Sequence, residues 1–259
     1  MKFTDQTGYT IELNKRPQRI ISIVPSQSEL LWHLGLRDGL VGITKFCIHP
    51  DEMFVSKDRV GGTKKLNIEK IRTLKPDLII GNKEENEQGQ IEELRKEFKV
   101  WMSDIYNLED AFQMMKSCGE LCGKQNEAEK IISEIKNKFK TLNTSALKGK
   151  TVAYFIWYDP FMAAASNTFI DFILKTIGFV NVFSDLQRYP EMNIDRIEKA
   201  DPDYILLSSE PFPFKQKHVN ELKAVCPNSK ILLVDGELFS WYGSRLKHAP
   251  EYFNSFYIQ

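Results

Sequence analysis

The stretch Asn67-Ile68-Glu69-Lys70-Ile71, followed by Lys75-Pro76-Asp77-Leu78-Ile79-Ile80, decides the fold because a closely similar stretch occurs later in the chain. That second copy is Asn193-Ile194-Asp195-Arg196-Ile197, followed by Asp201-Pro202-Asp203-Tyr204-Ile205-Leu206. The offset is 126 residues for both parts of the copy, from position 67 to 193 and from 76 to 202. Each copy predicts a short helix, a Pro-Asp turn and a strand. The shared spacing, charge type and apolar pattern favour a duplicated α/β lobe over a chance match.

Short apolar runs alternate with amphipathic stretches along most of the chain. This alternation predicts two lobes, each with a central, mostly parallel sheet flanked by helices. The predicted strands lie at 20–24, 41–44, 78–81, 100–102, 151–156, 204–207 and 231–234. Helical patterns lie between them at 28–34, 67–74, 87–96 and 169–177.

The region between the two copies carries no strand pattern. Asn107 is predicted to cap one helix and Gly123 to end it, and a second helix is predicted from about residue 125 to 142. At 1.5 Å per residue the second helix has a length of roughly 25–30 Å. We therefore expect an N-terminal α/β lobe at 1–107, a connecting helical backbone at 108–147 and a C-terminal α/β lobe at 148–259, with a ligand cleft between the lobes.

Composition excludes several classes of protein. The 259 residues contain 35 Lys plus Arg and 35 Asp plus Glu, so a net charge of zero gives no reason to expect nucleic acid or an anionic membrane as partner. No apolar run is long enough to span a bilayer.

The N-terminus shows no signal peptide, which predicts a cytoplasmic protein, or an extracytoplasmic one whose leader has been removed. The four cysteines form no C-x-x-C pair, so no disulfide framework is expected; Cys118 and Cys122 are expected in a helix core.

Loops that follow the predicted strands hold the candidate ligand contacts, because ligands bind at the carboxyl ends of parallel strands. These loops are rich in aromatic rings and carboxylates, which suit a large, flat, partly apolar ligand. The alternative is that rings such as Phe161 and Phe212 close a hydrophobic seam between the lobes. The candidate contacts are Ser26, Phe46, Cys47, His49, Glu84, Trp157, Tyr158, Glu210, Glu237, Trp241, Tyr242 and Arg245.

An ordered set of short motifs resembles a known family. The set begins with Arg19-Ile20-Ile21-Ser22-Ile23-Val24-Pro25-Ser26 and Val41-Gly42-Ile43-Thr44, continues through Val60-Gly61-Gly62 and the two Pro-Asp elements, and ends with Gly243-Ser244-Arg245-Leu246. It resembles the helical-backbone (class III) substrate-binding proteins of ABC importers, of the cobalamin, ferric-siderophore and haem type. The resemblance covers nearly the whole chain, and the order of the motifs carries it.

The resemblance implies a function without chemistry. It implies a monomer that captures a metal chelate or corrinoid, holds no intrinsic cofactor and delivers its ligand to an ABC permease. Glu69 and Asp195 match the carboxylates that dock to permease arginines, although both also suit the first turn of a helix. His49 matches an aromatic ligand contact, and its imidazole is a candidate axial ligand to cobalt or haem iron. Arg245 is a candidate partner for an acidic group of the ligand or for a local carboxylate.

Two other functions fit parts of the sequence. The absence of a leader favours a cytoplasmic corrinoid or metal-complex carrier or sensor on the same scaffold. An enzyme that uses Glu84, Glu210 and His49 for acid–base chemistry is the other alternative. No nucleophile elbow, phosphate loop or spaced metal triad supports that alternative, and the sequence therefore predicts a protein that is not an enzyme.

Overall fold

A computed structural model describes residues 1–256 and divides the chain into two compact units. The N-terminal unit comprises Met1–Asn137 together with Trp241–Lys247. The C-terminal unit comprises Lys138–Ser240 and the chain from His248 onward. The two-domain α/β architecture that the sequence predicts is confirmed.

The N-terminal unit is built on a parallel sheet with the strand order β5-β4-β3-β6-β7. All residues of β3, β6 and β7 are buried, as expected of strands that helices cover on both faces. The strands are β3 Ile20–Ser22, β4 Leu40–Ile43, β5 Asp58–Arg59, β6 Leu78–Asn82 and β7 Val100–Ser103. The helices are α1 Pro25–His33, α2 Asp51–Ser56, α3 Ile68–Leu74, α4 Gln88–Arg95, α5 Leu108–Cys122 and α6 Gln125–Phe139.

A separate antiparallel hairpin, β1 Lys2–Thr4 and β2 Thr10–Glu12, precedes this sheet. The buried carboxylate of Asp5 connects it to the rest of the unit. One Asp5 oxygen accepts hydrogen bonds from the Thr7 and Tyr9 amides, and the other accepts from Arg95 Nη2 and the Met102 amide. The alternation of apolar runs and amphipathic stretches predicts the main sheet. It does not predict this hairpin, because the strands of the hairpin are only three residues long.

The C-terminal unit has a mixed sheet with the strand order β11-β9-β8-β12-β13. Strands β8, β12 and β13 are parallel, and β10 pairs with β8 in parallel. At one side of the sheet, β9 pairs antiparallel with β8, and β11 pairs antiparallel with β9. The strands are β8 Thr151–Trp157, β9 Phe161–Ala163, β10 Val180–Asn181, β11 Glu191–Met192, β12 Tyr204–Ser208 and β13 Lys230–Val234. The helices are α7 Phe169–Thr176, α8 Ile194–Ala200, α9 Gln216–Val225, α10 Gly236–Ser240 and α11 Ala249–Ser255, with a 3-10 turn at Ser244–His248.

The two sequence copies adopt the same local structure. Asn67 caps α3 by accepting from the Lys70 amide at 2.9 Å, and Asn193 caps α8 by accepting from the Arg196 amide at 2.9 Å. Each helix ends in a left-handed residue, Lys75 with φ 45° and Asp201 with φ 34°. This left-handed end turns each chain out of its helix and into the Pro-Asp element.

The aspartates of the two Pro-Asp elements also play the same part. Asp77 accepts a hydrogen bond from the Gln18 amide, just before β3, at 2.8 Å. Asp203 accepts from the Thr151 amide, at the start of β8, at 2.8 Å. In each unit the carboxylate therefore ties the incoming strand to the central strand beside it, which explains why the Asp recurs.

The region between the copies differs in detail from the prediction. Asn107 caps α5 by accepting from the Asp110 amide, and Gly123 ends the helix with φ 68°, as predicted. However, α6 ends at Phe139 and spans 15 residues, so it is about 22 Å long and the predicted extension to residue 142 is wrong. The division between the two compact units falls inside α6. A separate connecting segment at 108–147 stays a prediction.

Candidate functional site

Several predicted ligand contacts lie in the loops at the carboxyl ends of the N-terminal strands, and they differ in how far their side chains are exposed. Phe46, after β4, is half-exposed, whereas His49, in the same loop, is partly buried. Glu84 is partly buried in the turn after β6, where Asn82 Oδ1 accepts from its amide at 2.8 Å. Ser26 is buried in the first turn of α1, so it contributes little accessible surface.

Cys47 is fully buried and supports the loop from beneath. Its Sγ lies 3.1 Å from Thr44 Oγ1 and donates to Ser28 Oγ at 3.1 Å, and Ser28 Oγ in turn donates to Ser22 Oγ. Burial raises the pKa of the Cys47 thiol above its usual range. The thiol fills the core below the loop, and a contact between Cys47 and the ligand stays a prediction.

The imidazole of His49 packs against Trp241, with ring centroids 6.0 Å apart and planes at 64°. Among residues 1–256, no cluster of three or more His, Cys, Asp or Glu side chains forms a metal site.

Trp241 contacts both His49 and Arg245, and the guanidinium carbon of Arg245 lies 5.0 Å from the Trp241 ring. Arg245 also donates to both carboxylate oxygens of Glu29 on α1, at 3.0 and 3.1 Å. The sequence leaves Arg245 open between a ligand group and a local acid; the structure shows the local acid. Its side chain is mostly buried by this pairing.

Residues 241–247 rest on α1 through close backbone contacts. A Cβ on Gly243 would lie 2.5 Å from the Ser26 carbonyl oxygen, so only glycine fits here. Ser244 Oγ lies 2.7 Å from His33 Nδ1, and Tyr242 is almost fully buried beside it. Trp241 therefore packs against the loop that carries His49, and both Trp241 and Tyr242 expose little ring surface.

The C-terminal unit exposes its rings after β8 and β12. Trp157 is 41% exposed and packs edge-on to Phe212, with ring centroids 5.9 Å apart. Tyr158 packs against Phe212 at 5.6 Å and donates from its hydroxyl to Glu221 at 3.1 Å. The neighbouring Glu221 carboxylate raises the pKa of Tyr158. Trp157 and Phe212 thus form an accessible apolar surface on this unit.

His218, on α9, lies under this aromatic surface. Its Nδ1 accepts a hydrogen bond from the Lys215 amide at 2.9 Å, so it caps α9. The rings of Tyr158, Phe212 and Phe214 surround it at centroid distances of 4.6–5.3 Å. His218 is 1% exposed, so it caps α9 from a buried position.

Glu210 and Glu237 lie at neighbouring strand ends in the C-terminal unit. Glu210 Oε1 accepts from Ser240 Oγ at 2.9 Å. Glu237 is the second residue of α10, and its amide donates to Asp235 Oδ1 at 3.0 Å. Both side chains are partly buried. Their carboxylates therefore sit at the same end of the sheet as Trp157.

Glu69 and Asp195 are exposed in the first turns of α3 and α8, as predicted. Glu69 accepts a hydrogen bond from Arg72, which also binds Glu97 and Glu93 on the neighbouring helix. Hydrogen bonds to Glu97 and Glu69 raise the pKa of Arg72, so the guanidinium is always charged. Glu69 therefore belongs to a surface ion-pair network, whereas Arg196, next to Asp195, pairs with Asp185.

The sequence gives no warning of a cavity of about 700 Å³ in the N-terminal unit. The Lys45–Phe46 turn, the hairpin at residues 61–66 and the segment 67–69 line it. Its volume falls within the range of small-molecule sites. Within residues 1–256, no helix has both the length and the apolar character needed to cross a bilayer.

Comparison with known proteins identifies relatives over most of the chain. An ABC transporter substrate-binding lipoprotein of Bacillus subtilis strain 168, YvrC, whose role is uncharacterized, is 26% identical over 265 residues, covering 95% of this chain and 82% of that protein. A vitamin B12-binding protein of Vibrio cholerae is 26% identical over 195 residues, covering 74% of this chain and 70% of that protein. Both relatives are named as binding proteins, one of them as part of an ABC transporter, and neither name favours a cytoplasmic carrier or an enzyme.

A solved structure confirms the fold. A periplasmic heme-binding protein from Pseudomonas aeruginosa superposes with a TM-score of 0.80 at 20% identity, covering 92% of both chains. The model of the family described as periplasmic binding protein matches residues 20–224, from β3 to α9. This match spans most of both duplicated α/β halves, and the chain therefore belongs to the periplasmic binding protein family.

Proposed function

We propose that this protein captures a metal chelate or a corrinoid outside the cytoplasm and delivers it, chemically unchanged, to an ABC importer. The observation that supports it best is the accessible aromatic surface of Trp157 and Phe212 at the strand ends of the C-terminal unit. An exposed tryptophan costs hydration free energy unless a flat ligand covers it. Family membership and the transport names of the relatives support the same function.

The proposed contacts fall into two groups. In the N-terminal unit, Phe46, His49 and Glu84 present ring and carboxylate groups. Trp241 packs against His49, and Arg245 and Tyr242 flank it in the same segment. In the C-terminal unit, Trp157, Tyr158, Glu210 and Glu237 contribute. Rings provide the contact area, and the few polar groups fix the orientation of the ligand.

A visible-absorbance titration tests the capture function directly. The purified protein is titrated with cyanocobalamin, haemin and a ferric siderophore, and saturable binding of at least one is expected. The variant Trp157→Ala should weaken that binding about tenfold, since a lost aromatic contact of about 1.4 kcal/mol changes the dissociation constant by that factor. The matched control is Tyr9→Ala, because Tyr9 is 40% exposed, as Trp157 is 41%, but lies in the N-terminal hairpin loop. No saturable binding, or equal losses in both variants, contradicts the proposal.

The same titration tests axial ligation by His49. If His49 ligates cobalt or iron, the absorbance bands shift on binding and the shift disappears in His49→Ala. Binding without a band shift, retained in His49→Ala, leaves the imidazole as a neighbour of Trp241 with no bond to the metal.

We also propose that Glu69 and Asp195 dock to basic residues of the permease. Both carboxylates are exposed at the same position of the duplicated helices, which supports matched roles. In proteoliposomes with the cognate importer, Glu69→Arg and Asp195→Arg should abolish stimulation of ATP hydrolysis. Asp195→Arg should also leave ligand binding unchanged, because Asp195 does not line the cavity near Glu69. Glu134→Arg, an exposed charge reversal on α6, is the control and should leave stimulation unchanged.

A further inference from the structure

The cavity in the N-terminal unit has rigid walls. In the hairpin at 61–66, the Gly62 amide donates to the Lys65 carbonyl at 2.9 Å, and the Lys65 amide donates back at 3.3 Å. Asn86 Nδ2 donates to the Thr63 carbonyl at 3.1 Å, and Gln90 Nε2 donates to the Lys64 carbonyl at 2.9 Å. Two side chains from the β6–α4 region thus hold the hairpin tip, and the cavity exists before any ligand arrives.

Phe46 also lines the cavity and packs against the hairpin. A Cβ on Gly62 would lie 3.1 Å from the Phe46 ring, so the hairpin backbone lies directly against that ring. Lys45 Nζ lies 5.0 Å from the centre of the same ring. The half-exposed Phe46 therefore offers an apolar wall with an ammonium group beside it.

The charge of the cavity lining is predominantly positive. Lys45, Lys64 and Lys65 line it, and none of the three has a carboxylate within 4.0 Å in the part of the chain that the structure describes. Lys64 Nζ donates to the Glu84 carbonyl oxygen at 2.6 Å, which is a neutral acceptor. Glu69 supplies the single carboxylate of the lining within residues 1–256, and Arg72 already binds it.

We propose that this cavity receives an oxyanion group of the captured ligand, so that the ligand class is a negatively charged metal chelate and not a neutral corrinoid. The inference rests on the proposed capture function and narrows it. Carboxylate or catecholate oxygens at the edge of a chelate accept hydrogen bonds from ammonium groups, while the flat part of the ligand contacts Phe46. Three uncompensated lysines on a preformed wall favour such an anion and disfavour a cation.

Ligand charge is the variable that tests this assignment. Quenching of tryptophan fluorescence gives dissociation constants for haemin, whose propionates are carboxylates, and for a ferric catecholate chelate of net negative charge. Cyanocobalamin and a cationic ferric hydroxamate chelate serve as the neutral and positive probes. At least one anionic chelate should bind tenfold or more tightly than both of these probes, and raising the salt concentration from about 0.05 M to 0.5 M should weaken its binding. The propionate and catecholate probes also show which oxyanion the cavity prefers.

Lysine variants then locate the interaction. Each lysine that lines the cavity is replaced by glutamine in turn, as Lys45→Gln, Lys64→Gln and Lys65→Gln. Each variant should bind the anionic chelate about three- to tenfold more weakly and bind the neutral probe as before. Lys116→Gln, an exposed lysine on α5, is the matched control and should change neither. The three replaced side chains are exposed, so the variants retain the fold, which a thermal melt verifies.

The outcomes separate the two proposals. If the neutral or cationic probe binds more tightly than every anionic one, or if the three variants behave like Lys116→Gln, the charge assignment is overturned and the capture function stands. If no chelate of any charge binds, the capture function fails and the charge assignment fails with it.

Discussion

Arg245 donates to both carboxylate oxygens of Glu29, although 216 residues separate the two in sequence. The Glu29 side chain is 8% exposed and that of Arg245 is 17% exposed, so the pair is largely removed from water. Breaking a pair of this kind leaves one buried charge without compensation, which costs more than the pair itself contributes.

Arg245→Met should therefore lower the free energy of unfolding by about 2–4 kcal/mol, because it leaves the Glu29 carboxylate buried and unpaired. Urea denaturation measures the loss. The double variant Glu29→Leu with Arg245→Met should recover most of it, since neither charge remains. A double variant as unstable as the single one would show that the helix packing of Arg245, and not its charge, stabilises the unit.

Asp5 should stabilise the N-terminal hairpin by a similar amount. Its carboxylate accepts from the Thr7 and Tyr9 amides and from Arg95, so Asp5→Ala leaves several donors without an acceptor. The free energy of unfolding should therefore fall by about 2–4 kcal/mol. Hydrogen exchange of the Met102 amide, which Asp5 also accepts from, should accelerate in the variant. Asp38→Ala, at an exposed turn, is the control; an equal loss there would contradict this assignment.

Stability should fall below pH 6.5 because of His218. Burial lowers the pKa of His218 in the folded protein below its ordinary value of 6.5, so the unfolded chain binds the proton more readily. The contribution of the neutral ring is complete above pH 6.5 and is lost as the pH falls toward the lowered pKa, where protonation of Nδ1 also removes the acceptor of the Lys215 amide. His218→Gln should flatten this part of the curve of unfolding free energy against pH.

The exposed His248 provides the comparison for that measurement. His248→Gln should retain the pH dependence of the unmodified protein. If both variants show the same slope between pH 7.5 and 5.5, other groups cause the pH dependence and the role assigned to His218 is wrong.

Gly61 should tolerate alanine worse than Gly8 does. Both have positive φ, 101° and 87°, so alanine is strained at each. At Gly61 a Cβ would also lie 2.5 Å from the Lys65 carbonyl oxygen, whereas at Gly8 nothing lies within 4 Å. We expect Gly61→Ala to lower the free energy of unfolding by about 1–3 kcal/mol more than Gly8→Ala does, as measured by urea denaturation. Equal losses in the two variants would show that the hairpin at Gly61 shifts without cost.

Local patterns predicted much of the fold. The two Pro-Asp copies, the cap Asn107 and the helix end at Gly123 all follow from short-range chemistry. Such features depend on neighbours within about four residues, so a single sequence contains the information.

The candidate site was less accessible to sequence reasoning because tertiary contacts decide which loop residues are exposed. Cys47 and His49 are two positions apart, yet one is fully buried and the other is not. The binding of Arg245 to Glu29 depends on a return of the chain over more than 200 residues, which no local pattern records. The hairpin cavity depends in the same way on Asn86 and Gln90, which come from a different loop.

The return of residues 241–247 to the N-terminal unit has a consequence for biosynthesis. Until Arg245 leaves the ribosome, Glu29 has no guanidinium to bind, and the groove on α1 that receives Gly243 stays open. The half of the polypeptide that is made first is thus completed only when nearly the whole chain has been synthesised, and domain-by-domain folding during translation cannot finish it early. A nascent chain stalled anywhere before residue 241 should carry an incomplete first half, which limited proteolysis of stalled ribosome complexes can detect.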